Sequence, residues 1–169
     1  MRGRADTDAP AEIWTVGHSN HPIDRFIALL QSAGVTAIAD VRSAPYSRRV
    51  RHFNREPLRA ALTEAGIAYV WLGEALGGKR GDAPPPSEDA VNAALDRLAD
   101  GAARYRVALM CAESDPARCH RSRLVAPLLL RRGHTVRHLR ADGSIEEHAT
   151  VADRIVEVDG GDPRQDRLL

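Results

Sequence analysis

Long apolar runs are missing from this chain. None approaches the roughly 20 residues that a membrane-spanning helix needs, so no membrane partner is expected. The opening stretch MRGRADTDAP has no apolar core of the signal-peptide kind, which points to a cytoplasmic protein. Cysteine is scarce: Cys111 and Cys119 are the only two. In a cytosolic chain of this size a pair of cysteines is more often free thiols or ligands than a structural bridge. A dominant sign of charge is missing too. With 24 Lys and Arg against 23 Asp and Glu the formal net charge is +1, which excludes a protein-wide basic field for nucleic acid. Anion recognition must therefore be local. Lysine is nearly absent, with Lys79 the only one; the bland reading is codon bias in a GC-rich bacterium, so arginine abundance alone argues little.

What is present is a regular alternation. The chain has 169 residues, 43% apolar and 28% charged, ordinary for one soluble domain with a real core. Residues 11–158 are expected to form that domain, with loose ends at 1–10 and 159–169. Apolar runs are followed by polar loops and then by stretches of helical periodicity. IWTVGHS, VTAIADV, IAYVWLG, YRVALMC and HTVRHL read as strands. PIDRFIALLQSAG, REPLRAALTEAG and EDAVNAALDRLADGA read as helices, the second capped by Asn54 and the third by Ser87. PARCHRSRLVAPLLLRRG reads as a further helix bent at Pro127, and SIEEHATVADRIVEV as a final helix or hairpin. Short continuous apolar strands alternating with helices imply βαβ units, with a sheet buried on both faces. The expected fold is a three-layer α/β sandwich with a mostly parallel, doubly wound sheet of about five strands, flavodoxin- or rhodanese-like.

In such sheets ligands bind beyond the carboxyl ends of the strands. That edge collects nearly every chemically capable residue outside the helix surfaces: Gly17, His18, Ser19 and Asn20 after the first strand, Asp40 within the second and Arg42, Ser43, Pro45, Ser47 and Arg48 after it. Gly73, Gly77 and Gly78 follow the third; Cys111, Glu113 and Cys119-His120-Arg121 follow the fourth; Arg140, Asp142 and Gly143 follow the fifth. The opposite loops, QSAGV and TEAGI, are short and bland. The asymmetry predicts one site. His18 either serves it or bonds to a neighbouring carbonyl. Asp40, in an apolar strand, needs a partner, Arg42 or a helix end, because an unpaired buried carboxylate costs several kcal/mol or stays protonated. Arg42, Arg48, Arg49, Arg51 and Arg55 with Tyr46 and Phe53 suit phosphates and stacked bases, or are simply a solvated loop. Gly77-Gly78 is either a phosphate-cradling turn or a bend.

Three readings of the cysteines arise. Zinc ligands usually come in pairs two to four residues apart; here seven residues separate Cys111 from Cys119, and on a helix His120 would point about 100° away from Cys119. No metal is therefore expected, a divalent ion held by Cys111, His18 and one of the pair being the lesser reading. A cysteine-phosphatase or rhodanese loop is disfavoured, since Arg118 stands at the wrong spacing and Glu113 and Asp115 would repel a phosphate. The third reading is a helix start capped by Asp115 with Pro116 first, where dipole and free amides favour an anion and lower a thiol's pKa. The remaining alternative is that both cysteines merely pack.

Five ordered motifs, TVGHSN, DVRSAPYSRRVRHFN, LGEALGG, LMCAESDPARCHR and VRHLRADG, run over about residues 13–143. Together they resemble the bacterial and archaeal family known as domain of unknown function 488. The resemblance implies a compact α/β domain and groups His18, Asp40, Arg42, Pro45, Ser47, Arg48, Phe53, Asn54, Cys111, Glu113, Cys119, His120 and Arg121 as one signature; it implies no activity. The expectation is an enzyme, or enzyme-like domain, for a small phosphate-bearing anion such as a nucleotide or a nucleic-acid end. Catalytic candidates are Cys111, Glu113, His120, His18 and Asp40. Substrate-binding candidates are Arg42, Ser47, Arg48, Asn54, Cys119, Arg121 and Ser19. A nucleic-acid-binding module built on the Arg42–Arg55 loop, and a metal-dependent hydrolase, are the alternatives. No cofactor is expected, and the oligomeric state is not legible.

Overall fold

A computed structural model describes residues 9–78 and 81–159. The expected strands form: β1 (Glu12–Gly17), β2 (Ala37–Asp40), β3 (Ala68–Trp71), β4 (Val107–Cys111) and β5 (Thr135–Leu139). They are joined by α1 (Ile23–Ser32), α2 (Arg55–Glu64), a short α3 (Gly73–Leu76), α4 (Glu88–Ala102) and α5 (Ala126–Arg131). The final stretch is both things the sequence allowed, a strand β6 (Ile145–Glu147) leading into a helix α6 (His148–Val158). Six strands in the order β3-β2-β4-β1-β5-β6 make one sheet, parallel except for β6 against β5. The fold is thus the α/β sandwich expected, with one added antiparallel edge strand. The expected tails lie almost wholly outside the described residues, as does Lys79.

Side-chain alternation sorts the core into two layers. Phe26, Leu30, Leu58 and Leu62 of α1 and α2 pack with Trp14, Val16, Ile38, Ala108 and Met110 on one face. Leu95, Leu98, Val125 and Leu129 of α4 and the α5 region pack with Ile13, Ala37, Ala39, Leu109, Cys111 and Val136 on the other. The helix after β4 therefore leaves on the face opposite to those after β1 and β2, the strands paired with β4 on either side. This makes the end of β4 the switch point at which open α/β sheets hold ligands, and Cys111 is its last residue.

Two expectations about caps part company. Ser87 caps α4 by accepting from Ala90 N at 3.1 Å. Asn54 stands at the cap position of α2, but its Oδ1 accepts from Ser47 N at 2.6 Å and closes the arginine loop instead. The helix expected over residues 116–132 is broken as well. Asp115 caps and Pro116 opens, as the sequence suggested, but only for a 3₁₀ turn (Pro116–Arg118). Cys119 is then extended (φ −117°, ψ 143°), a π turn follows (Arg121–Val125), and α5 begins at Ala126. Pro127 lies in the first turn of α5 directly after the π turn, with helical backbone on both sides, so its missing N–H falls where the helical ladder changes from π to α.

Candidate functional site

Two clusters of polar side chains lie at the carboxyl edge, one on each face. Asp40, wholly buried, follows Ile38 on the face covered by α1 and α2. It accepts from Arg42 Nε at 2.9 Å and Nη2 at 2.7 Å, from Arg42 N at 3.1 Å and from Tyr69 Oη at 2.6 Å. The partner that a buried carboxylate demands is thus Arg42, held bidentately. Burial first, and then Asp40, pushes the Tyr69 hydroxyl's pKa up. Arg42 Nη1 lies 3.3 Å from His18 Nε2. Arginine only donates, so Nε2 accepts and Nδ1 carries the ring proton, donated to Ser19 O at 2.7 Å. Burial lowers His18 to about 4, leaving it neutral at pH 7, and the ring stacks on Phe53 at 4.3 Å. Ser19 itself takes a left-handed backbone (φ 49°), uncommon for a residue with a side chain.

On the other face Arg121 is wholly buried, with no carboxylate ion-paired to it among the described residues. Its Nη1 donates to Cys111 Sγ at 3.0 Å and Glu113 O at 2.6 Å, its Nη2 to Ser114 O at 3.3 Å and its Nε to Thr15 Oγ1 at 3.1 Å. Burial lowers its pKa to about 10, with Glu113 opposing; it stays charged at neutral pH. A fixed guanidinium thus stands 3.0 Å from the Cys111 sulfur. The network runs on. Thr15 Oγ1, which accepts from Arg121, is also hydrogen-bonded to His138 Nδ1 at 2.6 Å, and His138 Nε2 is hydrogen-bonded to His148 Nδ1 at 3.0 Å. Burial, then His148, lowers His138 to about 3, and burial lowers His148 as well, so both rings are neutral.

Cys119 and His120 complete this cluster. The Sγ atoms of Cys111 and Cys119 stand in bonding contact as an S–S pair, where the sequence favoured free thiols or ligands. His120 Nδ1 lies 3.7 Å from Cys119 Sγ, and its Nε2 donates to Val41 O at 2.8 Å. One ligand atom from each of Cys111, Cys119 and His120 lies within 4.8 Å of the other two. The expectation that Cys119 and His120 diverge is therefore corrected. It assumed a helix, and the extended backbone at Cys119 lets both neighbours face the end of β4.

The clusters meet across the sheet edge. His18 N donates to Cys111 O at 2.9 Å, Ser19 N donates to Ala112 O at 3.0 Å, and Val41 O holds His120. Glycines permit this closeness. A Cβ on Gly17 would run into Glu113 O, and one on Gly78 would stand 2.7 Å from the His120 ring. Gly78 thus packs on His120, which explains it better than a phosphate turn does.

The site residues named from sequence all lie at this edge, in different circumstances. His18, Asp40, Arg42 and Arg121 bond inward, so Arg42 and Arg121 are structural cations more than exposed clamps. Glu113 is exposed, its carboxylate accepting from Asp115 N at 3.0 Å. Ser47 Oγ accepts from Arg49 N and Val50 N, and with Asn54 it shapes the loop. Ser19 Oγ donates to Asn20 Oδ1 at 3.4 Å. Arg48, Arg49 and Arg51 are exposed, with no side-chain ion pair or hydrogen bond among the described residues. Thr15, Tyr69, His138 and His148 were not singled out from sequence. Thr15 and His138 carried the signal that flagged Asp40, a polar residue inside a buried strand. Two depressions of about 300 and 240 Å³ lie off this edge, by Trp14 and Arg106 and by Val70 and Arg97, and neither is lined by His18, Arg42, Cys111, Cys119 or His120.

The family model for the domain of unknown function DUF488 matches residues 22–128, more than half of the chain. This protein belongs to the DUF488 family. No curated protein and no solved structure matches the chain. The DUF488 match takes in Asp40, Arg42, the arginine loop and the whole Cys111–Arg121 segment. It leaves out β1 with Thr15 and His18, and β5 to α6 with His138 and His148, which complete both clusters.

Proposed function

We propose that this DUF488 domain is an enzyme acting on a small phosphate-bearing ligand, a nucleotide or a nucleic-acid end, at the carboxyl edge of its sheet. The observation that carries the reading is the loop between β2 and α2: Arg48, Arg49 and Arg51 are exposed and without partners among the described residues, in a loop that packs on His18. Arginine forks suit phosphate oxygens. The loop is tied to the site through Phe53 on His18 and through His52 Nε2 on His21 O at 2.7 Å. Arg48, Arg49 and Arg51 hold the phosphate, and Cys111, Cys119 and His120 form the reactive centre. Asp40, Arg42 and His18 act as positioning residues, since their polar atoms bond to one another.

A mononucleotide and a short single-stranded oligonucleotide, titrated at several salt concentrations, test this. Binding of both should weaken with salt. Replacing Arg48, Arg49 and Arg51 by Ala should make the slope of log K against log salt for the oligonucleotide shallower by about 2. Unchanged binding by the triple variant would remove the loop from the site. Tyr46, 57% exposed in the same loop, offers a stacking face and favours a second reading, a nucleic-acid-binding module. Under that reading the oligonucleotide binds far more tightly than the mononucleotide, and cysteine variants bind as well as the wild type.

A further inference from the structure

We propose that Cys111, Cys119 and His120 hold a zinc ion. The three donor atoms lie within 4.8 Å of one another, as ligands of one ion must. Tetrahedral zinc, with bonds of about 2.3 Å to sulfur and 2.0 Å to nitrogen, separates its donors by roughly 3.5–3.8 Å. His120 Nδ1 and Cys119 Sγ are already 3.7 Å apart. The two sulfurs stand closer than that, but their Cα atoms are 7.6 Å apart. That exceeds the span of ordinary disulfides, about 4.4–6.8 Å, and gives the sulfurs room to part around an ion.

The surroundings of the donors make the stronger argument. His120 donates its Nε2 proton to Val41 O, which fixes the tautomer and turns the Nδ1 lone pair toward the two sulfurs. Ligating histidines are held by this outer hydrogen bond almost without exception. Arg121 Nη1 donates to Cys111 Sγ, as second-layer donors do to ligating thiolates. Two thiolates and an imidazole select zinc over magnesium or calcium, which take oxygen ligands. Among the described residues no carboxylate belongs to the donor set.

Three protein donors leave a tetrahedral ion one position, the arrangement of catalytic zinc. The two thiolates cancel the charge of the ion, and the buried Arg121 leaves one positive charge for an anion there. That this anion is a hydroxide or a substrate phosphate rests on the phosphate reading above; the metal site itself does not.

The test uses the full chain, purified without chelators or a metal-affinity column. Elemental analysis should give one zinc per chain, and both thiols should resist a thiol reagent until zinc is chelated. Cobalt in place of zinc should show thiolate-to-cobalt charge transfer, weakened in Cys111→Ser and Cys119→Ser and altered in His120→Ala. The variant lacking Arg48, Arg49 and Arg51 should keep its zinc whatever happens to phosphate binding, so the two proposals fail separately. Metal-free protein with two freely reactive thiols would overturn the site, and so would metal-free protein in which the thiols titrate only after reduction. The cobalt spectrum of the wild-type chain decides the matter even if a cysteine variant does not fold.

Discussion

Asp40 and Arg121 are both wholly buried charges, and their neighbours treat them differently. Asp40 has a guanidinium and a phenol; Arg121 has carbonyls, a hydroxyl and a sulfur. Replacing Asp40 by Asn strands the Arg42 guanidinium in the core and should destabilise the domain by about 3–5 kcal/mol. Urea unfolding measures it, and a loss below about 1 kcal/mol would show that the pair is not needed for stability. The histidines give a pH dependence with a definite sign. His18 and His138 are lowered from 6.5 to about 4 and about 3 in the folded chain. Between those values and 6.5 the unfolded chain binds more protons, so stability rises with pH through that window and levels off above it. Each ring contributes a slope of up to about 1.4 kcal/mol per pH unit. Melting temperature should therefore fall on acidification from pH 7 to pH 5. It should fall less steeply in His18→Gln and His138→Gln; an equal fall would mean that these rings are not held neutral. Asp40 was legible at this scale because a charge in an apolar strand stands out. Arg121 was named, but as a ligand clamp, since nothing in CHRSRL says which way the chain turns after Cys119.

Among elements, the strands and the amphipathic helices followed the apolar periodicity closely. The segment from Pro116 to Arg131 did not, because its course depends on what Cys119, His120 and Arg121 reach rather than on helix propensity. It divides into a 3₁₀ turn, an extended residue, a π turn and an α-helix. Turns of the π type are frequent at functional sites. The loop before it is pinned to the C-terminal elements. Asp115 pairs with Arg154 at 3.0 Å and Arg140 at 3.5 Å, and both arginines also pair with Glu146, at 2.8 Å and 2.9 Å. Asp115→Ala removes a cap and the centre of this network. It should cost about 1–2 kcal/mol and speed amide hydrogen exchange in α6. Exchange unchanged in α6 would show that its packing, with Val151 buried, holds it without the ion pairs.

For the whole molecule, the sheet edge carries two clusters where the sequence led to the expectation of one site. Hydrogen bonds from His18 N to Cys111 O and from His120 to Val41 O join them through the backbone. If each cluster is stabilised within its own face, Tyr69→Phe and Thr15→Val should add in the double variant to within about 0.5 kcal/mol. A larger coupling, measured by a double-mutant cycle, would show that the two faces act as one network.

The sequence by itself determined the α/β class, the extent of most strands and helices and the collection of reactive residues on one edge. Those follow from periodicity and from the polarity of parallel strands, both local properties of the chain. Only the tertiary structure decided that the order is β3-β2-β4-β1-β5-β6 and that Asp40 and Cys111 serve opposite faces. It also decided that His120 turns back to the two sulfurs and that Thr15, His138 and His148 extend the Arg121 network. Each of these depends on which strands become neighbours and on where an extended residue breaks a helix. Contacts between residues distant in sequence set both, and no local pattern encodes them.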